Sequence, residues 1–558
     1  MQRIHLVDVN KPLFNSLCIA TLLVTLLIFG CSSNEVLNYK QQATFIAEPD
    51  IELDPYLSAP LAGLLTLKTN IATRISLNIR VDNDVETIEF RPYQLEHKLP
   101  VLGLRPDKQH IITIKAYGQS DTKPALERTL TINTEPLPDG FPGIELKKHV
   151  AEKTEPGITL FDIIPEGENT EFGALIVIVN EKGEVIWYQI GSRYTDVRQL
   201  DNGNLVFIEA TKVVEINMLG ETVFEWRAIR NPAKHAGPRV VPTRIFHHEI
   251  FPMDKGNFLS LSVESRQYDN YRTSLKDPSA PTETTNVVGD VVIEFRPDGS
   301  IRKQWSLLDM LDPYRLGYDS LNTYWDQFFL KKTRDWSHSN AVIHDKRDNS
   351  IIVTSRHQDA TIKFRRKNGE LRWILGPHEN WNMEKFGKYL LKPVNNRKYF
   401  FPYHAHAPMI MPNGNLLIYD NGNNRAAPFE PWLPVEENFS RVVEYAIDEE
   451  TMEVELVWEY GQFVDNPIYS GALGDADYLP KTGNVLITHG NIYKKSGKLS
   501  ARILEVTHTT PAVEVFQLDV FDASSNPKNG WRIYRAERIR SLYPKDLLFS
   551  DKIQEEEQ

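Results

Sequence analysis

The chain has 558 residues, of which 41% are hydrophobic and 25% are charged, and its formal net charge is −12 at pH 7. A chain of this length exceeds one ordinary compact core, so it predicts two domains or one large repeat architecture. The apolar fraction excludes disorder for the bulk of the chain, and the acidic charge argues against nucleic acid as a partner.

The N-terminus has the pattern of an export signal. Arg3 and Lys11 precede an apolar run over residues 17–30, which is short for a membrane span, and Cys31 follows it directly. The end of this run resembles a lipoprotein signal, which implies a signal peptide over residues 1–30 and lipid attachment at Cys31. An uncleaved membrane anchor is the alternative.

Both cysteines of the chain, Cys18 and Cys31, lie in this N-terminal segment. The chain that follows therefore has no thiol for a disulfide, a thiolate metal site or a cysteine nucleophile. We expect it to be periplasmic or otherwise extracytoplasmic, and to be anchored to a membrane through the N-terminal lipid. Ser32, by analogy with sorting preferences, permits delivery to the outer membrane.

Two domains are predicted after the signal. Residues 31–51 are polar and unpatterned, which is typical of a tether. Residues 52–135 predict a small β-sandwich of the fibronectin or immunoglobulin type, from alternating strands at 64–69, 75–81 and 111–117. Three prolines and a glycine within 134–142 indicate a domain boundary, and residues 143–558 form the second domain.

The second domain is built from repeats. A turn followed by a strand that ends in an aromatic residue occurs six times, at Trp187, Trp226, Trp305, Trp373, Trp458 and, more loosely, Phe516. A second unit, in which a turn precedes a hydrophobic strand, has five clear copies. An all-β fold with a six-bladed β-propeller explains both numbers, because one blade can combine strands from both chain ends. That shared blade is predicted to join residues 157–190 to residues 534–544.

Histidines recur at one register of these repeats. The position near the start of the innermost strand, which lines the channel of a propeller, is His248, His338 and His406 in three repeats. Thr195 and Asp475 stand there in two others. A single histidine of this kind is more often bonded to backbone, but three at one register favour a functional site.

Further polar residues are predicted beside this set. His247 adjoins the first of the three histidines, and Asn340 follows the second by two residues. His404 precedes the third by two residues and is expected on the same face of its strand. Arg356 ends a strand at the point where the chain turns back toward the channel axis.

The residues by themselves leave three kinds of function open. Histidines together with Asp475 and Asp477 would suit a metal-dependent hydrolase or lyase. Arg356 argues against a metal, because a fixed cation repels one and a guanidinium suits sulfate, phosphate or carboxylate. Arg356 serves equally an oxyanion-transferring enzyme and a binding module for anionic aromatic ligands. The lack of a glycine-rich phosphate loop disfavours nucleotide donors.

The motifs around these residues resemble those of the bacterial arylsulfate sulfotransferases, which are nucleotide-independent enzymes. The likeness runs from about residue 50 to the C-terminus and is carried by segments 246–250, 335–340, 355–358 and 404–422. It implies transfer of a sulfuryl group from a phenolic sulfate ester to a phenol by a ping-pong mechanism through a sulfated histidine. No cofactor or metal is implied, and a homodimer is the assembly that relatives suggest.

The resemblance also implies roles for individual residues. His406 matches the nucleophile, and His338 matches the group that protonates the departing phenolate. His248, Asn340 and Arg356 match residues that bind the sulfuryl oxygens.

Two points depart from a simple match. His404 and His247 are also expected to contact substrate, and His404 is a second candidate for the nucleophile. Family members carry a disulfide near the active site, which this chain lacks the cysteines to form.

Overall fold

The computed structural model describes residues 42–548, apart from 168–171, 230–238, 329–331, 396, 494–499 and 524–529. The predicted signal peptide, the predicted lipid-bearing Cys31 and most of the predicted tether lie outside the described residues. Within those ranges strands dominate, and the α-helices are the short α1 (Leu307–Met310) and α2 (Met383–Phe386). None of the described helices has the length and apolar character needed to cross a membrane.

The N-terminal domain is organised around one long strand. Its strands are β1 (Phe45–Leu53), β2 (Gly63–Val81), β3 (Asp84–Glu89), β4 (Gln94–Val101), β5 (Gln109–Gly118) and β6 (Leu126–Asn133). The first part of β2 pairs with β1 and β4, whereas its second part pairs with β3 and β5. Alternate side chains of β2, such as Leu65 and Leu77, are buried in the core of this domain.

Two details of this domain differ from the sequence prediction. The strands predicted at 64–69 and 75–81 are one strand, because the residues between them stay extended within β2. The first strand, β1, begins at Phe45, inside the segment predicted to be a tether. Most side chains of this edge strand are exposed, so its sequence lacks the alternation that indicates a half-buried strand.

Six further sheets follow among the described residues, and all are built mainly of antiparallel strands. A leading strand is β7 (Gly143–His149). Sheet 1 begins with β8 (Ile158–Glu166), β9 (Ala174–Val179) and β10 (Val185–Gly191). Sheet 2 contains β11 (Tyr194–Gln199), β12 (Leu205–Glu209), β13 (Lys212–Ile216), β14 (Thr222–Ala228) and β15 (Val240–Val241). Sheet 3 contains β16 (His247–Pro252), β17 (Phe258–Tyr271), β18 (Glu283–Phe295), β19 (Ile301–Ser306) and β20 (Thr333–Asp335).

The chain continues in the same manner. Sheet 4 contains β21 (Ser339–Asp345), β22 (Ser350–Ser355), β23 (Ala360–Arg365) and β24 (Leu371–Leu375). Sheet 5 contains β25 (Lys392–Pro393), β26 (His406–Ile410), β27 (Leu416–Asp420), β28 (Arg441–Asp448) and β29 (Glu453–Tyr460). Sheet 6 contains β30 (Asp475–Tyr478), β31 (Val485–Ile492), β32 (Ser500–Val506) and β33 (Glu514–Phe521). The last strands are β34 (Gly530–Arg532) and β35 (Ala536–Ile539).

The two ends of this domain interlock. β35 is the innermost strand of sheet 1 and pairs antiparallel with β8, with Ala536 opposite Phe161. β7 extends the outer edge of sheet 6 by pairing with β33. The innermost strands of neighbouring sheets are in contact, and β31 of sheet 6 contacts β35 of sheet 1. The prediction of an all-β chain with a sandwich and a propeller is confirmed.

The repeated aromatic residues mark the fourth strand of each sheet. They lie on β10, β14, β19, β24, β29 and β33. Four of the indoles donate to a neighbouring sheet; for example, Trp187 Nε1 donates to the carbonyl oxygen of Met218 at 2.8 Å and Trp226 Nε1 to that of Pro297 at 2.9 Å. Central strands such as β9 and β22 are buried on both faces, because each sheet packs between two others.

The sandwich is attached to the propeller by polar and aromatic contacts. The hydroxyl of Tyr543 accepts a hydrogen bond from the backbone N–H of Leu102 at 2.9 Å. Arg105 forms an ion pair with Glu184 at 3.3 Å, and Lys182 forms one with Asp84 at 2.7 Å. The N-terminal ends of β16, β21 and β26 bring the predicted histidines to one end of the channel.

Candidate active site

His406 is held by the protein through one ring nitrogen. Its Nδ1 lies 2.6 Å from Oδ1 of Asn421 and 3.1 Å from the carbonyl oxygen of His404. Both partners accept, so Nδ1 carries the hydrogen and Nε2 keeps its lone pair. Asn421 is oriented in turn, because its Nδ2 donates to the carbonyl oxygens of Ser470 and Leu473, each at 2.7 Å.

The surroundings of His406 keep it uncharged. Its side chain is 4% exposed. Burial, with the positive charge of Arg356, lowers the pKa of His406 well below its ordinary value, against the opposing effect of the hydrogen bond to Asn421. A neutral imidazole with an unprotonated Nε2 is the nucleophilic form of this side chain.

His404 has the opposite character. Its Nδ1 lies 2.8 Å from Oδ1 of Asp359, and its Nε2 lies 3.4 Å from Oδ2 of Asp319. Burial and the charge of Arg356 oppose protonation of this ring, but the two carboxylates outweigh them and raise the pKa of His404. A protonated imidazole has no lone pair to offer an electrophile, so this environment disfavours His404 as a nucleophile.

The expectation that His404 and His406 share one face of a strand is wrong. β26 begins at His406, and His404 precedes it with a φ of 54°. This left-handed backbone breaks the alternation on which the expectation relied. His248 and His338 also have positive φ, at 60° and 42°. Such strained residues persist where the surrounding structure imposes them, and they cluster at functional sites.

His338 is bonded to a buried carboxylate. Its Nδ1 lies 2.5 Å from Oδ2 of Asp335, and Oδ1 of the same carboxylate accepts from Trp325 Nε1 at 2.8 Å. The ring of His357 stacks beneath that of His338, with centroids 4.6 Å apart and planes at 24°. With Nδ1 engaged, Nε2 is the atom of His338 that remains for a ligand.

His248 and His247 form a pair beside His338. Their Nδ1 atoms lie 2.8 Å apart, and the rings of His248 and His338 lie edge to face with centroids 5.0 Å apart. Burial lowers the pKa of His248 well below its ordinary value, and the neighbouring histidines add to this effect. His247 faces away from the set, because its Nε2 lies 3.3 Å from Oδ1 of Asp290.

Arg356 follows β22 and is the cation of the site. Its Nη1 lies 3.3 Å from Oδ2 of Asp319, and its Nη2 lies 3.4 Å from the carbonyl oxygen of Gly471. Both are long for hydrogen bonds to a guanidinium, so the group has donors left for an anion. Asp319 is shared by Arg356 and His404, and the contact with His404 lowers its pKa far below the ordinary value.

Asn340 forms hydrogen bonds that hold neighbouring segments of the propeller together. Its Nδ2 donates to the carbonyl oxygen of Ala405 at 2.9 Å, and its Oδ1 accepts from Thr354 Oγ1 at 2.5 Å. Its backbone carbonyl oxygen accepts from the hydroxyl of Tyr534 at 3.0 Å. The first bond holds the segment between His404 and His406, and it uses one of the two N–H groups of the amide.

The acidic residues considered as metal ligands do not join the histidines. Asp475 begins β30, and the charges that act on it belong to Asp477, Arg535, Arg198 and Asp196. Burial and the neighbouring Asp477 raise the pKa of Asp475 to about 7. These residues form a buried charge cluster, and its Arg535 also acts on His406.

One group of the described residues has metal-ligand types close together. Single ligand atoms of Asp335, His338 and His357 lie within 4.8 Å of one another. Hydrogen bonds account for this grouping, because Nδ1 of His338 is bonded to the carboxylate of Asp335 and Nδ1 of His357 lies 2.6 Å from its carbonyl oxygen.

The sequence interpretation missed the partners that orient the histidines. Asp335 precedes His338 by three residues, and Asp359 follows Arg356 by three residues, so both stood inside or beside recognised motifs. Asn421 stands in the segment after the third histidine strand. Asp319 lies in a connecting segment before β20, where no pattern marks it.

Family models match both domains of this chain. A model described as Arylsulfotransferase (ASST) matches residues 143–535, and one described as Arylsulfotransferase Ig-like domain matches residues 50–135.

Two curated proteins named arylsulfate sulfotransferases are similar to this chain. The chain is 23% identical to an arylsulfate sulfotransferase AssT of Lelliottia amnigena, over 85% of this chain and 90% of that protein. It is 26% identical to an arylsulfate sulfotransferase AssT of Escherichia coli O6:H1 strain CFT073, over 69% of this chain and 67% of that protein. Among solved structures, the Cps50 (Swd1) β-propeller domain of Myceliophteria thermophila is 8% identical, with a TM-score of 0.32, over 68% of this chain and 90% of that one.

Proposed function

This chain belongs to the arylsulfotransferase (ASST) family and is a transferase, and we propose that it moves a sulfuryl group from an aryl sulfate to a phenolic acceptor. We propose a ping-pong mechanism with a sulfated His406 as intermediate. The observation that carries the proposal is the neutral, buried His406 ring, whose Nδ1 is bonded to Asn421 while Nε2 keeps its lone pair beside the cation Arg356.

In the first half-reaction, Nε2 of His406 attacks the sulfur of the donor in line with the aryl oxygen. The N–S bond forms as the S–O bond to the aryl oxygen breaks, and the electron pair leaves with that oxygen. His338 gives its Nε2 proton to the phenolate. Arg356 and the remaining N–H of Asn340 bind the sulfuryl oxygens and offset their charge, and His248 lines the same pocket.

In the second half-reaction, an acceptor phenol replaces the released phenol. His338 takes its proton as the acceptor oxygen attacks sulfur. The N–S bond breaks and its electron pair returns to Nε2 of His406, which restores the starting state. One histidine therefore acts first as an acid and then as a base.

His404 supports this cycle without forming the covalent bond. Its pairing with Asp359 and Asp319 favours the charged ring, and its carbonyl oxygen accepts from Nδ1 of His406 at 3.1 Å. A binding module for anionic aromatic ligands would need Arg356, but it would have no use for a nucleophile beside a carboxylate-bound histidine. This difference favours the enzyme over the binding module.

The test is release of p-nitrophenol from p-nitrophenyl sulfate by the purified full-length protein in detergent, with and without added phenol. We expect phenol to stimulate the release of p-nitrophenol. We expect His406→Ala to lower the rate of release by on the order of 10³-fold or more, as the loss of a covalent nucleophile does. His404→Ala is expected to retain measurable release. Mass spectrometry of the protein quenched after mixing with donor alone should detect one added sulfuryl group, located on His406.

Other results would favour the remaining functions. Tight binding of the donor without release at any phenol concentration would point to the binding module. Release that a chelator abolishes and added metal restores would point to the metal-dependent enzyme. An added sulfuryl group on His404 would exchange the roles of the two histidines.

We also propose that the protein is exported and anchored by lipid at Cys31, on the pattern of residues 1–31. Incorporation of labelled fatty acid into the wild-type protein and its loss in Cys31→Ser would support this proposal. Equal labelling of both proteins would reject it.

A further inference from the structure

We infer that Asp335 is a positioning residue for the transfer reaction, which holds Nε2 of His338 toward the aryl oxygen and stabilises the proton that this histidine donates. This inference rests on the proposed function and adds to it the residue that orients His338, the general acid. It starts from a buried carboxylate that no step of the mechanism uses directly.

Each carboxylate oxygen of Asp335 accepts a hydrogen bond from a side chain. Oδ2 lies 2.5 Å from Nδ1 of His338, and Oδ1 lies 2.8 Å from Nε1 of Trp325. The side chain is fully buried. A carboxylate fixed at two points leaves the imidazole one orientation, in which Nδ1 faces the protein and Nε2 faces the channel.

The carboxylate is also ionised in this site. Burial alone would raise the pKa of Asp335, but the charges of His338 and His357 and the bonds from His338 and Trp325 hold it below the ordinary value. A buried negative charge next to Nδ1 favours an imidazolium ring over a neutral one. The acid of the first half-reaction has to be such a ring.

The backbone around Asp335 makes the arrangement rigid. Asp335 ends β20, which pairs parallel with β18, and Asp335 stands opposite Val288. Its carbonyl oxygen accepts from Nδ1 of His357 at 2.6 Å, and the ring of His357 stacks on that of His338. One residue therefore fixes the edge of the His338 ring through its side chain and supports the face of that ring through its backbone.

The two reacting histidines differ in the charge of the group that binds Nδ1. For His338 it is the carboxylate of Asp335, and for His406 it is the neutral amide of Asn421. A carboxylate stabilises the protonated ring, whereas an amide orients a ring without favouring its charge. This difference separates an acid from a nucleophile although both are histidines.

Asp335 should influence the rate of the step in which the S–O bond of the donor breaks. His338 gives its Nε2 proton to the aryl oxygen as that bond breaks, and Asp335 stays ionised throughout. A weakly basic phenolate such as p-nitrophenolate leaves readily without a proton, so its release is accelerated little by the acid. A more basic phenolate such as that of phenol is accelerated much more. Loss of Asp335 should therefore slow poor leaving groups more than good ones.

The experiment compares two donors, p-nitrophenyl sulfate and phenyl sulfate, with the same acceptor and the full-length protein in detergent. In Asp335→Asn we expect kcat/KM for phenyl sulfate, which reports the first half-reaction alone, to fall by about 10²- to 10⁴-fold, the range for loss of acid–base catalysis. For p-nitrophenyl sulfate we expect the factor by which the same constant falls to be at least ten times smaller. In a His338→Ala background the Asp335→Asn change should not alter the ratio of the two rates further.

Asp345→Asn is the matched control. Asp345 is a buried carboxylate of sheet 4 that pairs with Arg347 and Lys363, away from the histidines. It should lower thermal stability without changing the ratio of rates for the two donors. If Asp335→Asn does not fold, Trp325→Phe removes the bond to Oδ1 together with part of a buried ring, and it should shift the ratio in the same direction.

The possible results separate this inference from the proposed function. A wild-type protein that transfers sulfuryl groups while Asp335→Asn slows both donors equally, or neither, would overturn the role of Asp335 alone. A wild-type protein that transfers from neither donor would reject the proposed function, and with it the acid that Asp335 positions.

Discussion

Nδ1 of His406 lies 2.6 Å from Oδ1 of Asn421, and the amide nitrogen of Asn421 is held by two backbone carbonyl oxygens. The amide therefore cannot rotate to present its nitrogen to the histidine. His406 is left with its hydrogen on Nδ1 and its lone pair on Nε2, and burial keeps the ring neutral. The reactive form of the proposed nucleophile is present before substrate binds.

Replacing Asn421 should reduce the rate of the chemical step. In Asn421→Ala the ring of His406 loses the closer of its two acceptors and keeps only the carbonyl oxygen of His404 at 3.1 Å, so it is less firmly held in the reactive tautomer. We expect kcat to fall by on the order of 10²-fold or more, with little change in KM. Asn413→Ala is a matched control, because Asn413 bonds Glu444 in a turn of the same sheet. Equal kinetics for Asn421→Ala and the wild type would contradict this role.

Arg356 should contribute through the shape of its side chain as well as its charge. Arg356→Lys keeps the charge but loses the planar pair of donors, so kcat/KM should fall by about 10²-fold, and Arg356→Gln should cost about 10³-fold. Arg347→Lys changes a half-exposed arginine paired with Asp345 and should leave activity unchanged. If both lysine variants behaved alike, Arg356 would not bind the sulfuryl group.

His404 should stabilise the fold in a pH-dependent way. Asp359, Asp319 and Arg356 face this ring, and its pKa in the folded protein is raised above the unfolded value of about 6.5. A raised pKa gives stability that is complete below the unfolded value and is lost as the pH rises through the folded value. Thermal unfolding should therefore show the largest advantage of wild type over His404→Gln near pH 5 and a smaller one near pH 9. A constant difference would indicate a neutral His404.

Asp475 should destabilise the fold at high pH, because its buried carboxyl must ionise there. Burial and Asp477 raise its pKa to about 7, while Arg535 and Arg198 oppose the shift. The folded state then binds more protons than the unfolded state between about pH 4 and 7, so this carboxyl costs stability as the pH rises, up to about 4 kcal/mol above pH 7. Asp475→Asn should raise the melting temperature at pH 8 and change it little at pH 4. Asp201→Asn, in an exposed turn, is the control and should change neither.

The sequence by itself determined the architecture. The recurring turn and strand with a terminal aromatic residue reappear as the fourth strands of the sheets, because turn chemistry and alternating side chains act over a few neighbouring residues. The missing copy of the second unit corresponds to sheet 1, whose innermost strand β35 comes from the other end of the chain. The spacing of the repeats was enough to predict that His248, His338 and His406 lie near the starts of innermost strands.

Only the tertiary structure decided how those histidines differ. His404 and His406 are two residues apart, yet one lies between two carboxylates and the other against an amide, because the left-handed backbone at His404 turns its ring away. Asp319 comes from a segment distant in sequence, and Asn421 reaches His406 because β27, which it follows, pairs with β26. The protonation of a buried ring depends on the charge and distance of the groups around it, and those distances exist only after the sheets have packed around the channel.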